Sequence, residues 1–197
     1  MTTALLDRRP IVVAVAGPNG AGKSTFYRAH LAPSGLRFVN ADQLALQLKL
    51  DPYRAAELAG QIRGELIARR ESFIFETVFS DPVGDKVDFL LRAARGGYTV
   101  ALFFIGISSA RASEERVSMR VLKGGHDVPT GKIRERYGRT MENLRRALAA
   151  LPNVWVYDNS NLAAPYRLAA EVCQGLLKIH LPTPAWLKPL LSNHAPD

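Results

Sequence analysis

Residues 11–25 read IVVAVAGPNGAGKST, and this stretch decides the fold. Ile11–Ala16 is apolar and rich in β-branched side chains, too continuous for a half-exposed strand, so it is expected at the centre of a sheet. It leads directly into Gly17-Pro18-Asn19-Gly20-Ala21-Gly22-Lys23-Ser24-Thr25. That string fits G-x-x-x-x-G-K-[ST], with the strand before and the helix after that a P-loop requires. Its glycines let backbone N–H groups turn inward around a phosphate, where a Cβ would stand in the way. A helix expected over Lys23–Leu31 adds the positive end of its dipole. Lys23 is placed to reach the β- and γ-phosphates, Ser24 to ligate Mg²⁺ and Thr25 to support the α-phosphate. All nine residues are assigned to nucleotide binding, with ATP or GTP and Mg²⁺ as the expected cofactors.

Outward from the loop, short apolar runs alternate with longer amphipathic stretches, the pattern of an α/β protein built on a parallel sheet. Strands are expected at Leu36–Val39, Ser72–Thr77, Tyr98–Gly106 and Asn153–Tyr157. The stretch Ala41–Arg70 is helical, broken at Asp51-Pro52, where Asp51 is placed to cap the second helix. Further helices are expected over Pro82–Ala94, Ser109–Lys123 and Pro129–Leu151. Tyr166–His180 suits either a strand or a helix, and Pro182-Thr183-Pro184 sets off a tail at 181–197. The expected architecture is a three-layer P-loop NTPase/kinase fold: one domain over 1–197, a central parallel sheet, and a helical lid at about 109–150.

Composition agrees with a globular chain, 47% hydrophobic and 22% charged over 197 residues. The lone Cys173 excludes an internal disulfide framework and reads as a small buried apolar residue in a reducing cytosol. No secretory signal is legible, and Tyr98–Ile107 is half the length needed to span a bilayer, so a cytoplasmic location is expected. The net charge of +8 is uneven: ten Lys/Arg against five Asp/Glu place +5 between Arg111 and Arg146. Such a segment serves nucleic acid, a phosphate-rich small molecule, or simply a solvated helix face.

Transporter-type ATPases share the GPNGAGKST string, but they also carry an LSGGQ-like signature and an apolar strand ending in Asp-Glu. Neither occurs here; the strands end in Glu76 and Asp158 without an acid pair. Asp42, in VNAD, lies past the second strand and nineteen residues after Lys23. It is placed either to accept a proton from an acceptor hydroxyl or to cap a helix. Glu76 and Thr77 reach the same edge of the sheet, with Ser80 and Asp81 beyond, as candidates for substrate or metal-bound water.

Arg116 and Arg120 share one helical face, and Arg136 and Arg139 share the next, with Arg134 nearby. Arg111, Arg145 and Arg146 are expected to face solvent. A Gly124-Gly125-His126 break between two arginine-bearing helices suits a lid that closes over a transferring phosphoryl group. His126 is a hinge or substrate contact and has no metal-ligand neighbours.

GPNGAGKST, FVNAD, FIFETVFS, ERVSMRVLKGGHDVPTGKIRERYGRTMENL and VYDNS, taken in order, resemble the zeta-toxin family of P-loop kinases, in particular its short chromosomal single-domain members. The resemblance runs from about Ile11 to Ser160. It implies transfer of a phosphoryl group from ATP or GTP, with Mg²⁺, to the amino-sugar 3′-hydroxyl of UDP-N-acetylglucosamine or a related nucleotide sugar. It implies that Asp42 activates that hydroxyl and that Glu76 places substrate or metal. Arg120 and either Arg136 or Arg134 then contact the phosphates as catalytic lid arginines. Thr77, His126 and Arg134 stand as further substrate contacts, and an antitoxin protein as a partner. The chain is shorter than the longer toxins, which carry extra elements for the sugar nucleotide. Two other readings stand beside it: a kinase for a nucleic-acid end or another metabolite, and a nucleotide-dependent switch ATPase.

Overall fold

The structure, a computed structural model, describes residues 5–122 and 128–191. Strand β1 (Ile11–Ala16) feeds the P-loop and helix α1 (Lys23–Phe26), which continues as a π-helical turn over Tyr27–Leu31 and a 3₁₀ turn over Ala32–Ser34. Next come β2 (Arg37–Val39), α2 (Ala41–Leu48), α3 (Pro52–Ala68), β3 (Phe73–Thr77), α4 (Asp85–Arg95) and β4 (Thr99–Gly106). Helices α5 (Ala110–Leu122) and α6 (Thr130–Ala150) precede β5 (Asn153–Asp158), β6 (Arg167–Cys173), β7 (Leu176–Ile179) and α7 (Lys188–Leu191).

The strands form one sheet in the order β2-β3-β1-β4-β5-β6-β7. β1 is central as expected, paired in parallel with β3 and β4, and every one of its residues is buried. Alternation along the strands divides the core between two faces. Val12, Ala14, Phe73, Phe75, Leu102 and Phe104 pack on one face; Val13, Val15, Ile74, Phe103 and Ile105 pack on the other. Phe75 is fully buried, with Phe89 edge-on at 5.8 Å and the Arg63 guanidinium 5.1 Å above its ring. Phe75→Ala is expected to cost about 3–5 kcal/mol, read as a lower urea midpoint at unchanged slope.

Because β1 to β5 run parallel, their C-terminal ends and the loops that follow gather along one edge of the sheet, where ligands bind in open α/β folds. Asp51 caps α3 as expected, its Oδ1 accepting from the amides of Tyr53 and Arg54.

Beyond the sequence expectation the fold resolves the open segment as strand and adjusts three other points. Tyr166–His180 forms an antiparallel hairpin, β6–β7, whose turn uses Gln174 and Gly175 at φ 52° and 81°. The sheet is therefore parallel through β5 and antiparallel beyond it. Helix α4 starts at Asp85 rather than Pro82, because Gly84 preceding it is left-handed at φ 88°. Residues 183–191 are part of the fold: Leu187 and Leu191 are buried against the core. Cys173 is half-buried rather than buried, and burial and neighbouring Glu171 push its thiol pKa up.

Candidate active site

The P-loop is shaped from behind. Gly17 has φ 143°, and a Cβ there would fall 2.1 Å from the Ile105 carbonyl oxygen. Gly22 is left-handed at φ 93°, and a Cβ would press on the Asn159 amide and the Tyr166 hydroxyl. Those two side chains brace the loop: Asn159 Nδ2 donates to the Ala21 carbonyl at 2.8 Å, and the Tyr166 hydroxyl donates to the Gly22 carbonyl at 3.0 Å. Ser113 Oγ, from α5, donates to the Asn19 carbonyl at 2.5 Å. With these carbonyls held outward, the loop's N–H groups are left to face a phosphate. The Thr25 hydroxyl lies against the Tyr166 phenol.

Lys23 is only 7% exposed, and its Nζ donates to the Pro18 carbonyl at 3.0 Å. Burial lowers its pKa below the ordinary value, while the carboxylates of Glu76 and Asp42 oppose that shift and Arg120 reinforces it. One ammonium thus feels both candidate acids and the lid arginine. These four residues come from the P-loop, the end of β3, the first turn of α2 and the last turn of α5.

Ser24 Oγ donates to Glu76, with Oε2 at 2.9 Å and Oε1 at 3.1 Å, and Asn40 Nδ2 donates to Glu76 Oε2 at 2.9 Å. Asn40 also caps α2, its Oδ1 accepting from the Gln43 amide at 3.1 Å. Capping therefore belongs to Asn40, and the exposed Asp42 carboxylate stands in the first turn without that duty. The set fits Mg²⁺: a serine hydroxyl that donates to Glu76 keeps its lone pairs for a cation, and the neighbours are oxygen donors. Among the described residues no cluster of three or more His, Cys, Asp or Glu could hold a metal, which suits an ion bound through one carboxylate, water and a nucleotide's phosphates.

Asn40 is a site residue that sequence reading passed over, although its place between a strand end and a helical run is an N-cap signal. Asn40→Ala is expected to lower stability by about 1 kcal/mol through the lost cap. It should also raise the Mg²⁺ concentration needed for half-maximal turnover, because Glu76 loses its anchor; a magnesium titration and a melting curve check both.

Beyond Glu76, a cavity of about 590 Å³ opens at the end of β3. Tyr53, Thr77, Ser80, Asp81, Lys132, Arg136 and Arg139 are among its lining residues. Helix α6 builds its rear wall. Thr140 Oγ1 donates to the Val78 carbonyl at 2.8 Å, and Asn143 Nδ2 donates to the carbonyls of Phe79 and Asp81 at 2.9 and 2.8 Å. Tyr137 donates to the Ile107 carbonyl at 2.9 Å, and its burial raises the phenol's pKa to about 12. From Thr140 onward α6 is core, with Asn143, Leu144, Ala147 and Leu148 buried. Only its first turns overhang the cavity, where Lys132 Nζ reaches the Tyr53 hydroxyl at 3.1 Å.

The expected site residues divide on this geometry. Glu76 bonds Ser24 of the P-loop, and Glu76, Asp42 and Arg120 all act electrostatically on the Lys23 ammonium; Thr77 and Arg136 line the adjoining cavity. Thr77 Oγ1 also accepts from the Phe79 amide at 3.0 Å. Arg134 is held elsewhere, in a salt bridge to Glu114 of α5 at 2.6 Å, which ties α5 to α6. His126 lies outside the described residues. Arg111 pairs with Glu115 on the surface as expected; Arg145 and Arg146 both pair with Glu142, and Arg146 also donates to the Val83 carbonyl.

Comparison with known proteins places these observations. The family model described as zeta toxin matches residues 51–170, more than half of the chain. No curated protein matches the chain. Among solved structures, the AvrRxo1-ORF1:-ORF2 complex with ATP superposes at TM-score 0.67 and 17% identity, covering 88% of this chain and 61% of that one. A gluconokinase from Sinorhizobium meliloti 1021 is similar at TM-score 0.51 and 22% identity, covering 80% and 86%. The PezAT chromosomal toxin–antitoxin system of Streptococcus pneumoniae is similar at TM-score 0.50 and 16% identity, covering 77% and 69%. At these identities the likeness is one of fold. This chain spans about three fifths of the length of the AvrRxo1 chain it matches. No helix among the described residues is long and apolar enough to cross a membrane.

Proposed function

The chain belongs to the zeta toxin family, and on that premise we propose that it is a phosphotransferase moving the γ-phosphoryl group of ATP or GTP to a hydroxyl. The acceptor we propose is a nucleotide sugar of the UDP-N-acetylglucosamine kind. The observation that carries the reading is the convergence of Asp42, Glu76 and Arg120 on Lys23 beside a cavity large enough for a small acceptor. A nucleotide switch needs a positioned water; an exposed carboxylate with no capping duty, acting on the Lys23 ammonium, suits an alcohol.

In this reading Lys23 and the P-loop amides would hold the β- and γ-phosphates, and Ser24 and Glu76 would hold Mg²⁺, whose charge would offset that of the phosphates. Asp42 orients the acceptor hydroxyl and takes its proton as the oxygen attacks. Arg120, with Arg136 from across the lid, stabilises charge on the phosphoryl group in flight, and closure of the lid's first turns excludes water. The similarity to the AvrRxo1-ORF1:-ORF2 complex and to the PezAT toxin–antitoxin system supports a protein partner of the antitoxin kind.

ADP release measured with and without UDP-sugars tests the acceptor reading. Release stimulated by one of them is the expected result. A basal rate indifferent to every UDP-sugar and to short oligonucleotides would favour the switch instead.

A further inference from the structure

The C-terminal segment after Pro184 has no part in the chemistry above, yet it reaches the nucleotide side of the site. Trp186 lies over Gly106, the last residue of β4; a Cβ at Gly106 would sit 2.2 Å from the indole ring. Its Nε1 donates to Asp158 Oδ1 at 3.0 Å, and Asp158 pairs opposite Gly106 at the end of β5. The indole thus spans the C-terminal ends of two adjacent strands, in the space that the missing side chain of Gly106 leaves.

Asp158 is largely buried, its side chain 14% exposed, and it organises the residues that follow it. The same Oδ1 accepts from the Ser160 amide at 3.1 Å and from the Ser160 hydroxyl at 2.5 Å, while Oδ2 faces Arg167 at 3.5 Å. Between them, Asn159 is gripped on every polar atom. Its amide donates to the Gly106 carbonyl at 2.8 Å, and its Oδ1 accepts from the Tyr166 amide at 3.4 Å. Its Nδ2 holds the Ala21 carbonyl of the P-loop. The carbonyls of Asn159 and Ser160 accept from Arg116 of α5 at 2.7 and 3.2 Å. A shift of Asp158 is therefore passed to the P-loop through Asn159 and to the lid through Arg116.

We propose that Trp186 is a positioning residue for nucleotide binding, fixing through Asp158 the Asp158–Ser160 segment that braces the P-loop and α5. It touches no substrate. Its indole N–H supplies one of the four donors that hold the Asp158 carboxylate, and its ring fixes how far the ends of β4 and β5 stand from α7. The proposal rests on the phosphotransferase reading, since it concerns the affinity of that site for ATP.

Calorimetric titration of the full chain with MgATP, paired with melting curves, tests it. Trp186→Phe keeps a ring over Gly106 and removes only the N–H, so it is expected to weaken MgATP binding about five-fold, the size of one hydrogen bond to a charged group shared among four donors. Gly106→Ala, which pushes the indole away from the other side, is expected to weaken it in the same direction. Asp158→Leu combined with Trp186→Phe should bind no more weakly than Asp158→Leu alone, because both act by one route. Trp155→Phe alters the other tryptophan, stacked on Phe103 away from this segment, and should leave MgATP affinity unchanged while lowering the melting point. A Trp186→Phe protein that melts earlier but binds MgATP like wild type, or additive losses in the double variant, overturns the positioning role alone. Wild-type protein that binds no MgATP overturns the role and the phosphotransferase reading together.

Discussion

Lys23→Ala is expected to cut kcat/KM for MgATP by about a thousand-fold, the scale on which a single buried charge at a developing oxyanion contributes to catalysis. The estimate follows from where the ammonium sits. It is 7% exposed, folded onto the Pro18 carbonyl, and within the fields of Glu76, Asp42 and Arg120. In such a site water does not screen it, and no other cation of the loop can replace it. The same burial gives a second signature. Desolvation pulls the Lys23 pKa down, so the folded chain carries the charge at a cost. Removing it relieves that desolvation while taking the cation from Glu76 and Asp42, so the two effects oppose and the melting point should change little. Lost turnover with a nearly unchanged melting point is the expected pair. A protein that melts markedly earlier would make Lys23 a structural residue instead.

Asp42→Asn is expected to lower phosphoryl transfer by about 10²–10⁴-fold, the usual range for a positioned general base. MgATP affinity should stay within about two-fold, because Asp42 stands exposed in the first turn of α2, outside the P-loop. The substitution is nearly isosteric and the residue exposed, so the fold should not respond. Helix α2 should persist as well, since its cap is Asn40. Transfer rates and calorimetric affinities for the two proteins check the split. Retained transfer would reduce Asp42 to an ordinary acid in a first helical turn, where a negative charge is mildly stabilising.

Much of the fold was legible in the sequence, for physical reasons that recur in α/β proteins. Ile11–Ala16 reads as central because only a strand covered on both faces tolerates six successive apolar residues, and it is flanked on both sides in the sheet. Asp51-Pro52 reads as a helix start because capping and proline chemistry are local, and Asp51 does cap. The hairpin β6–β7 was not legible. Arg167–Cys173 lies next to the β7 edge of the sheet and is only partly buried, without clean alternation, and its turn relies on Gln174 in a left-handed conformation that nothing in the sequence marks.

Within the site, the P-loop was readable because its residues do their work next to one another in the chain. The braces behind it were not. Asn159, Tyr166 and Ser113 act across separations of 138, 144 and 94 residues, through side chains that also suit ordinary turns and helices. Asn40 lay in plain view within VNAD, overshadowed by the acid two positions on. Arg134 and Arg136 share one helix and one charge, and only the packing of α5 against α6 separates them: Arg134 takes Glu114, while Arg136 faces the cavity.

The central claim is that the γ-phosphoryl group leaves ATP for a small hydroxyl acceptor. Incubation of the purified protein with γ-labelled ATP, Mg²⁺ and UDP-N-acetylglucosamine, followed by separation of the products, tests it most directly. Label is expected on the sugar nucleotide, lost in Asp42→Asn and Lys23→Ala. Label recovered solely as inorganic phosphate, with this acceptor and with every other UDP-sugar offered, would contradict it.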